Sequence, residues 1–231
     1  MSIGVLQAIE NNPQMSPEAL AKLIADARQN TPLDVAENPD TPSTVLAKLA
    51  NDENWDLQCC VAGNPSASAE VLTNLAGAEC LDVREAVAAN PSTPPEVLAV
   101  LAGDGDSGVR DAVADNPHTP PEALTRLADD GDWNVRCSVA GNPSAPTGVV
   151  AKLAVESAGA YWVAGNPYTP PEVLAHLADN ENSDVRQALV RNTSTPSEIL
   201  EVLAYDENRW VRSSAIRILH LRTRKRTGRC R

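Results

Sequence analysis

The stretch NPHTPPEALTRLADDGDWNVRCSVAG fills residues 116–141, and Asn142 and Pro143 begin the same phrase again. Placing the Asn of each phrase gives Asn12, Asn38, Asn64, Asn90, Asn116, Asn142, Asn166 and Asn192. The spacing is 26 residues except for one step of 24, from Asn142 to Asn166. A period in this range marks a repeat array, in which no unit buries its apolar face without a neighbour. The repeat therefore decides the fold, and each position is counted here from its Asn as offset zero.

Four copies place Thr at +3 and Glu at +6: Thr93/Glu96, Thr119/Glu122, Thr169/Glu172 and Thr195/Glu198. Thr-x-x-Glu predicts a capping box, with Pro94, Pro120, Pro170 and Pro196 in the first helical position, where a missing N–H costs nothing. Leu at +8 and +11 with Ala at +12, as in Leu124, Leu127 and Ala128, is the stripe of an amphipathic helix, predicted to run about ten residues. An acidic, Gly- and Asn-containing stretch breaks it. Asp106, Asp132, Asn182 and Asn208 share offset +16, the expected N-cap of a second helix that carries Val at +19 and, in most copies, +23. That helix is expected to be a short helix or a 3₁₀ turn, because the next Asn-Pro closes it.

Each unit is then a longer helix, an acidic turn, a shorter helix and an Asn-Pro corner. The pattern VRxAVAxNPxTPPEVLAxLAxD resembles the leucine-rich repeat variant family over nearly the whole chain. The resemblance implies an all-α, right-handed α-solenoid of about eight two-helix repeats without strands, similar in style to HEAT and armadillo arrays. Its expected organisation is a capping half-repeat at 1–11, the array over 12–217 and a basic tail at 218–231. One relative of this family carries an N-terminal cysteine-rich iron–sulfur segment. No cysteine precedes Cys59 here, so that cluster is not carried over, and no cofactor is expected.

Composition agrees with a thin, layered core: 42% hydrophobic residues but only 3% aromatic, with no Phe. The net charge of −12 hides an asymmetry. From Arg209 onward there are nine Lys or Arg and no acid, which leaves residues 1–208 with 10 basic against 31 acidic side chains, a balance of −21. Such a body repels phosphates and disfavours nucleic acid along its length. Five scattered cysteines do not form a disulfide framework, and the N-terminus lacks a basic n-region and a long apolar run. A cytoplasmic protein is expected.

Enzyme signatures are missing. His118, His176 and His220 fall in no nucleophile–base order, and the acidic turns fail the spacing of a calcium loop: from Asp104, position 5 is Gly108 and position 6 is Val109. Cys59, Cys60, Cys80 and Cys137 are too dispersed for zinc and read as small hydrophobes. Arg84, Arg110, Arg136, Arg186 and Arg212 all stand at +20, either pairing with acidic turns or gripping an anion. Offset +21, with Cys59, Glu85, Asp111, Cys137, Tyr161, Gln187 and Ser213, varies in character and is expected to line a solvent-facing edge.

The aromatic residues depart most from the pattern. Trp55 and Trp133 stand at +17 and Trp210 at +18, either covering the neighbouring repeat or forming a recognition surface. In the 24-residue unit the acidic turn is lost, and Gly159, Ala160, Tyr161 and Trp162 replace Val-Arg-x-small. A binding notch or a neutral local bend both explain this. The expected function is a non-enzymatic protein–protein interaction scaffold for a partner of basic or mixed surface. Its candidate contacts are Tyr161, Trp162, Trp133, Trp55, Glu85 and Asp111. The alternatives are nucleic-acid association through the Arg ladder and the tail residues Arg222, Arg224, Lys225 and Arg226, or a redox accessory role.

Overall fold

The computed structural model describes residues 31–155 and 159–226. The half-repeat at 1–11, the first repeat start at Asn12 and residues 227–231 lie outside the described residues. Fifteen helices and no strand occur among them. In order these are α1 (Pro32–Glu37), α2 (Ser43–Leu49), α3 (Trp55–Gly63), α4 (Ala69–Leu75), α5 (Leu81–Ala89), α6 (Pro95–Leu101), α7 (Ser107–Asp115) and α8 (Pro121–Leu127). They continue as α9 (Trp133–Gly141), α10 (Thr147–Val155), α11 (Gly159–Gly165), α12 (Pro171–Leu177), α13 (Ser183–Arg191), α14 (Ser197–Leu203) and α15 (Arg209–Arg226). The chain divides into two compact units, one reaching to Ala123 and one beginning at Leu124, so the division falls inside α8. In the first unit α1, α3, α5 and α7 pack side by side in a row; in the second, α9, α11, α13 and α15 do the same.

The proportions of the repeat are the reverse of those expected from the sequence. The helix after the corner at each repeat's Asn has seven residues in α2, α4, α6, α12 and α14, and the helix after the acidic turn has nine in α3, α5, α7, α9 and α13. The reason lies at both ends. Proline restrains only the residue before it, so the second helix runs up to the Asn of the next repeat. The first helix starts late because Thr does not cap it.

The Thr-x-x-Glu capping boxes expected at Thr93, Thr169 and Thr195 do not form. Pro94, Pro170 and Pro196 are the N-caps, without a side-chain cap bond, and each threonine is buried. Its hydroxyl donates back to a carbonyl six residues earlier: Thr93 to Val87 at 2.5 Å, Thr119 to Val113 at 2.5 Å, Thr169 to Val163 at 2.6 Å and Thr195 to Leu189 at 2.7 Å. Those carbonyls sit in the last turn of a helix and need a donor. Closing one helix, not opening the next, is the task of this threonine. The N-caps at +16 follow expectation, with the side chains of Asn54, Asp106, Asp132 and Asn182 accepting an amide N–H.

The core is the set of Leu and Val columns. Leu46, Leu72, Leu98, Leu124, Leu174 and Leu200 at +8, and Val61, Val87, Val113, Val139, Val163 and Leu189 at +23, are all 0% exposed. The Asn that marks the period is buried as well, at 2–5% exposure from Asn64 to Asn192. Asn64 Nδ2 donates to the carbonyls of Ala36 and Asn38, Asn90 to those of Ala62 and Asn64, and Asn116 to those of Ala88 and Asn90. Each Oδ1 accepts the amide two residues on, from Ser66, Ser92 and His118. Three of the four hydrogen-bonding sites of a primary amide are thereby used, two of them on the preceding repeat.

Candidate functional site

A second ladder runs through the acidic turns. Arg84, Arg110, Arg136, Arg186 and Arg212 each donate from Nη1 to two carbonyls of their own repeat, at +14 and +15; for Arg84 these are Ala78 and Glu79. Arg84 also reaches Asp104 of the next repeat at 2.7 and 3.1 Å, and Arg186 reaches Asp206 at 2.7 and 3.0 Å. The ladder is a clamp between turns. Each pairing raises the arginine pKa and lowers that of its aspartate, chiefly through the side-chain hydrogen bond. This is the pairing alternative of the sequence reading. Guanidinium groups so committed make a poor grip for an outside anion.

Among the described residues the clamp is absent at two junctions, and both of its partners change together. Where +20 is Gln58, the next +14 is Ala78; in the short repeat, counted back from Asn166, Ala160 takes the arginine's place, and the next +14 is Asn180. Where it is Arg84 or Arg186, the next +14 is Asp104 or Asp206.

The aromatic candidates lie at these unclamped junctions and at helix starts. Tyr161 and Trp162 are neighbours on α11, 42% and 47% exposed, with ring centroids 5.7 Å apart and planes at 86°. They wall a hollow of about 380 Å³ completed by Gly141, Gly165, Asn166, Pro167, Ala188, Arg191 and Asn192. Glycine at 141 and 165 leaves its floor open. A Cβ at Gly159 would overlap the Leu153 carbonyl oxygen, so only glycine allows α11 this approach to α10. The short repeat also weakens the asparagine ladder: Asn166 Nδ2 reaches the Ala140 carbonyl alone, whereas Asn192 reaches both Ala164 and Asn166.

Trp55 and Trp133 are the first residues of α3 and α9, 49% and 52% exposed, and Trp210 is 64% exposed with the Arg209 guanidinium 5.2 Å from its ring centre. None is core. Trp55 stands on a larger hollow of about 950 Å³ with Gln58, Glu70 and Glu79. The +21 column is not the uniformly exposed edge expected of it. Glu85, Tyr161 and Ser213 are exposed, Cys59, Asp111 and Gln187 are half-buried, and Cys137 is buried. A nine-residue helix packed between two neighbours has too narrow an outer face to expose +21 everywhere.

Among the cysteines, Cys59, Cys60 and Cys80 are half-buried, and all four described are free thiols. Burial pushes the Cys59 thiol up to about 11, the reverse of what a nucleophile or metal ligand needs. Among the described residues no three His, Cys, Asp or Glu are grouped to hold a metal ion, and no helix is long and apolar enough to cross a membrane. Of the tail candidates, Arg222 is committed to the carbonyls of Thr195 and Thr193, at 2.7 and 3.1 Å, and ties α15 to its own repeat. Arg224 is exposed, and the side chains of Lys225 and Arg226 lie outside the described residues.

Buried amide and guanidinium ladders repeated between helix pairs define a helical repeat protein. Residues 60–116 match the model of the leucine-rich repeat variant domain, and residues 108–132 that of the leucine rich repeat variant. A solved structure described as a leucine-rich repeat variant with a novel repetitive structural motif superposes with a TM-score of 0.56 at 24% identity, covering 92% of this chain and 81% of that one. An engineered protein aligns at a TM-score of 0.41 and 18% identity, over 94% and 77% of the two chains. No curated protein matches the sequence. The leucine-rich repeat variant pattern is thus matched over residues 60–132, and the likeness to the solved variant structure shows that the chain has the all-helical fold of a helical repeat protein.

Proposed function

We propose that this repeat array is a non-enzymatic scaffold that holds a protein partner, with Tyr161 and Trp162 as its principal anchor. One observation carries the reading: the two rings stand half-exposed at right angles over a hollow, in the one repeat that has lost its acidic turn. Tyrosine and tryptophan dominate interface energetics because they bury much area with few rotatable bonds, and an interface core is poor in charge. The raised Cys59 pKa and the commitment of the buried polar side chains to backbone carbonyls favour a scaffold over an enzyme. Free thiols fit work in the cytoplasm.

Capture of partners from host extract on immobilised wild-type chain tests this, compared with Tyr161→Ala/Trp162→Ala and with Trp133→Ala. A folded double variant should lose about 2 kcal/mol of affinity if either ring is a hot spot, while Trp133→Ala keeps it. Equal capture by a folded double variant removes the notch from the function. Nucleic acid is the weaker reading. Exposed Arg217 and Arg224 on α15 favour it, but the ladder arginines and Arg222 are spent inside the fold. Salt-dependent binding of duplex DNA, lost on Arg217→Ala/Arg224→Ala, would establish it.

A further inference from the structure

The hollow at Trp55 lies in the first unit and has no part in the Tyr161 notch of the second. It sits at the junction where the array's clamp is replaced. At every other clamped turn an arginine at +20 donates to two carbonyls of its own repeat. Here the residue is Gln58, whose Nε2 reaches only the first of the two, Asp52, at 2.8 Å. The second, Glu53, receives no side-chain donor among the described residues. The opposite aspartate is Ala78, so both sides of the clamp are missing and a hollow of about 950 Å³ remains.

What lines that hollow is selective in sign. Glu70 and Glu79 are exposed carboxylates, Asn51, Asn74 and Gln58 are amides, and Trp55 is 49% exposed, while no Lys, Arg or His lines it. Two carboxylates, carbonyl-type acceptors and the face of an indole suit one class of group, a cationic side chain. Trp133 occupies the same column, yet its repeat holds its own cation, Arg136, on the Asp130 and Gly131 carbonyls. Trp55 is thus the tryptophan of this column whose repeat leaves the cation to be supplied from outside.

We infer that the Trp55 hollow binds an arginine- or lysine-bearing segment of a partner protein, whose cation takes the place that the chain's own arginine fills at the clamped junctions. Complementarity of charge selects this occupant: the body carries 10 basic against 31 acidic side chains.

The test uses the full chain and a capped arginine–glycine peptide, with its citrulline counterpart as the neutral isostere, titrated by calorimetry at physiological salt. Wild type should bind the arginine peptide about tenfold or more tightly than the citrulline one. Gln58→Arg/Ala78→Asp restores the clamp in cis without changing net charge, and should lose that binding while unfolding no earlier than wild type. Should this variant fold poorly, Trp55→Ala, at an exposed position, gives the second measurement and should weaken binding severalfold. Equal binding of both peptides, undiminished binding to the restored-clamp or Trp55→Ala variant, or no binding to wild type overturns the inference. Concentration-dependent self-association that the restored clamp abolishes would assign the cation to the basic tail of a second copy, and overturn a foreign partner. The Tyr161→Ala/Trp162→Ala variant should bind the arginine peptide as wild type does.

Discussion

Arg186 donates from Nε and Nη2 to both carboxylate oxygens of Asp206, at 2.7 and 3.0 Å, across the boundary between two successive repeats. Its third nitrogen, Nη1, holds the Asn180 and Glu181 carbonyls of its own turn. The side chains are only 8% and 4% exposed, so neither charge could stay where it is without the other. Removing one partner of a buried pair leaves an uncompensated ion, at a cost of about 3–5 kcal/mol. Arg186→Ala should therefore lower the unfolding free energy by about that amount in denaturant titration. Lys152→Ala, which breaks an ion pair with Asp129 between side chains 46% and 72% exposed, should change it by less than about 1 kcal/mol. Equal effects of the two would show that the clamp adds nothing beyond a surface pair.

The same clamp sets a pH dependence. Asp104 and Asp206 titrate below the ordinary 3.8 because arginine bonds favour their charged forms. A carboxylate with a depressed folded-state pKa binds protons less readily than in the unfolded chain. Its stabilisation is complete above the unfolded value and is lost as pH falls through the folded one. Thermal midpoints should thus drop as pH falls below about 4, and Asp104→Asn/Asp206→Asn should flatten that drop. A double variant whose midpoint falls as steeply as wild type would place the acid sensitivity elsewhere.

The asparagine ladder should tolerate even an isosteric change badly. Asn90→Asp keeps the shape but aims a carboxylate oxygen at the Ala62 and Asn64 carbonyls, which now accept at 2.6 and 2.9 Å. Two buried acceptors lose their donor, each worth about 1–3 kcal/mol. The variant should lose several kcal/mol at neutral pH and recover part of it in mild acid, where the new carboxyl is protonated. A change under about 1 kcal/mol at pH 7 would mean that water replaces the amide.

Val113, fully buried in α7, is the column test of the core. Val113→Ala should cost about 1–3 kcal/mol through lost burial and the cavity it leaves. Val100→Ala, on a side chain 75% exposed, should cost a few tenths. Similar values for the two would contradict the assignment of +23 to the core.

At Gly159 the prediction is steric. Adding one methyl forces it against the Leu153 carbonyl oxygen, so Gly159→Ala should destabilise the second unit by about 1–3 kcal/mol. It should also blunt any activity that depends on Tyr161 and Trp162. Gly141→Ala, with nothing within 4 Å of its added carbon, should leave stability nearly unchanged.

Periodicity alone determined that this chain is a helical array. The recurrence of Asn, Leu, Val and Arg at fixed offsets names the core columns and the N-caps at +16, because helix geometry turns spacing into a face. The disturbed unit and its aromatic pair were equally legible, since a departure from a repeat is visible wherever the repeat is. What side chains reach was not. Thr93 looked like a cap for the helix after it and instead closes the helix before it, and the marker Asn90 turned out to be a buried hinge pin between repeats. The threonine bond runs six residues back around the Asn-Pro corner, a bend that spacing does not show, and the asparagine bonds join carbonyls 26 and 28 residues away, which come within reach only once one repeat has stacked on the next. Which junctions go without a clamp could be read from Gln58 and Ala78. That a hollow with a tryptophan and two carboxylates stands there was decided by where α2, α4 and the turns that follow them come to rest, because a cavity is a property of surfaces brought together.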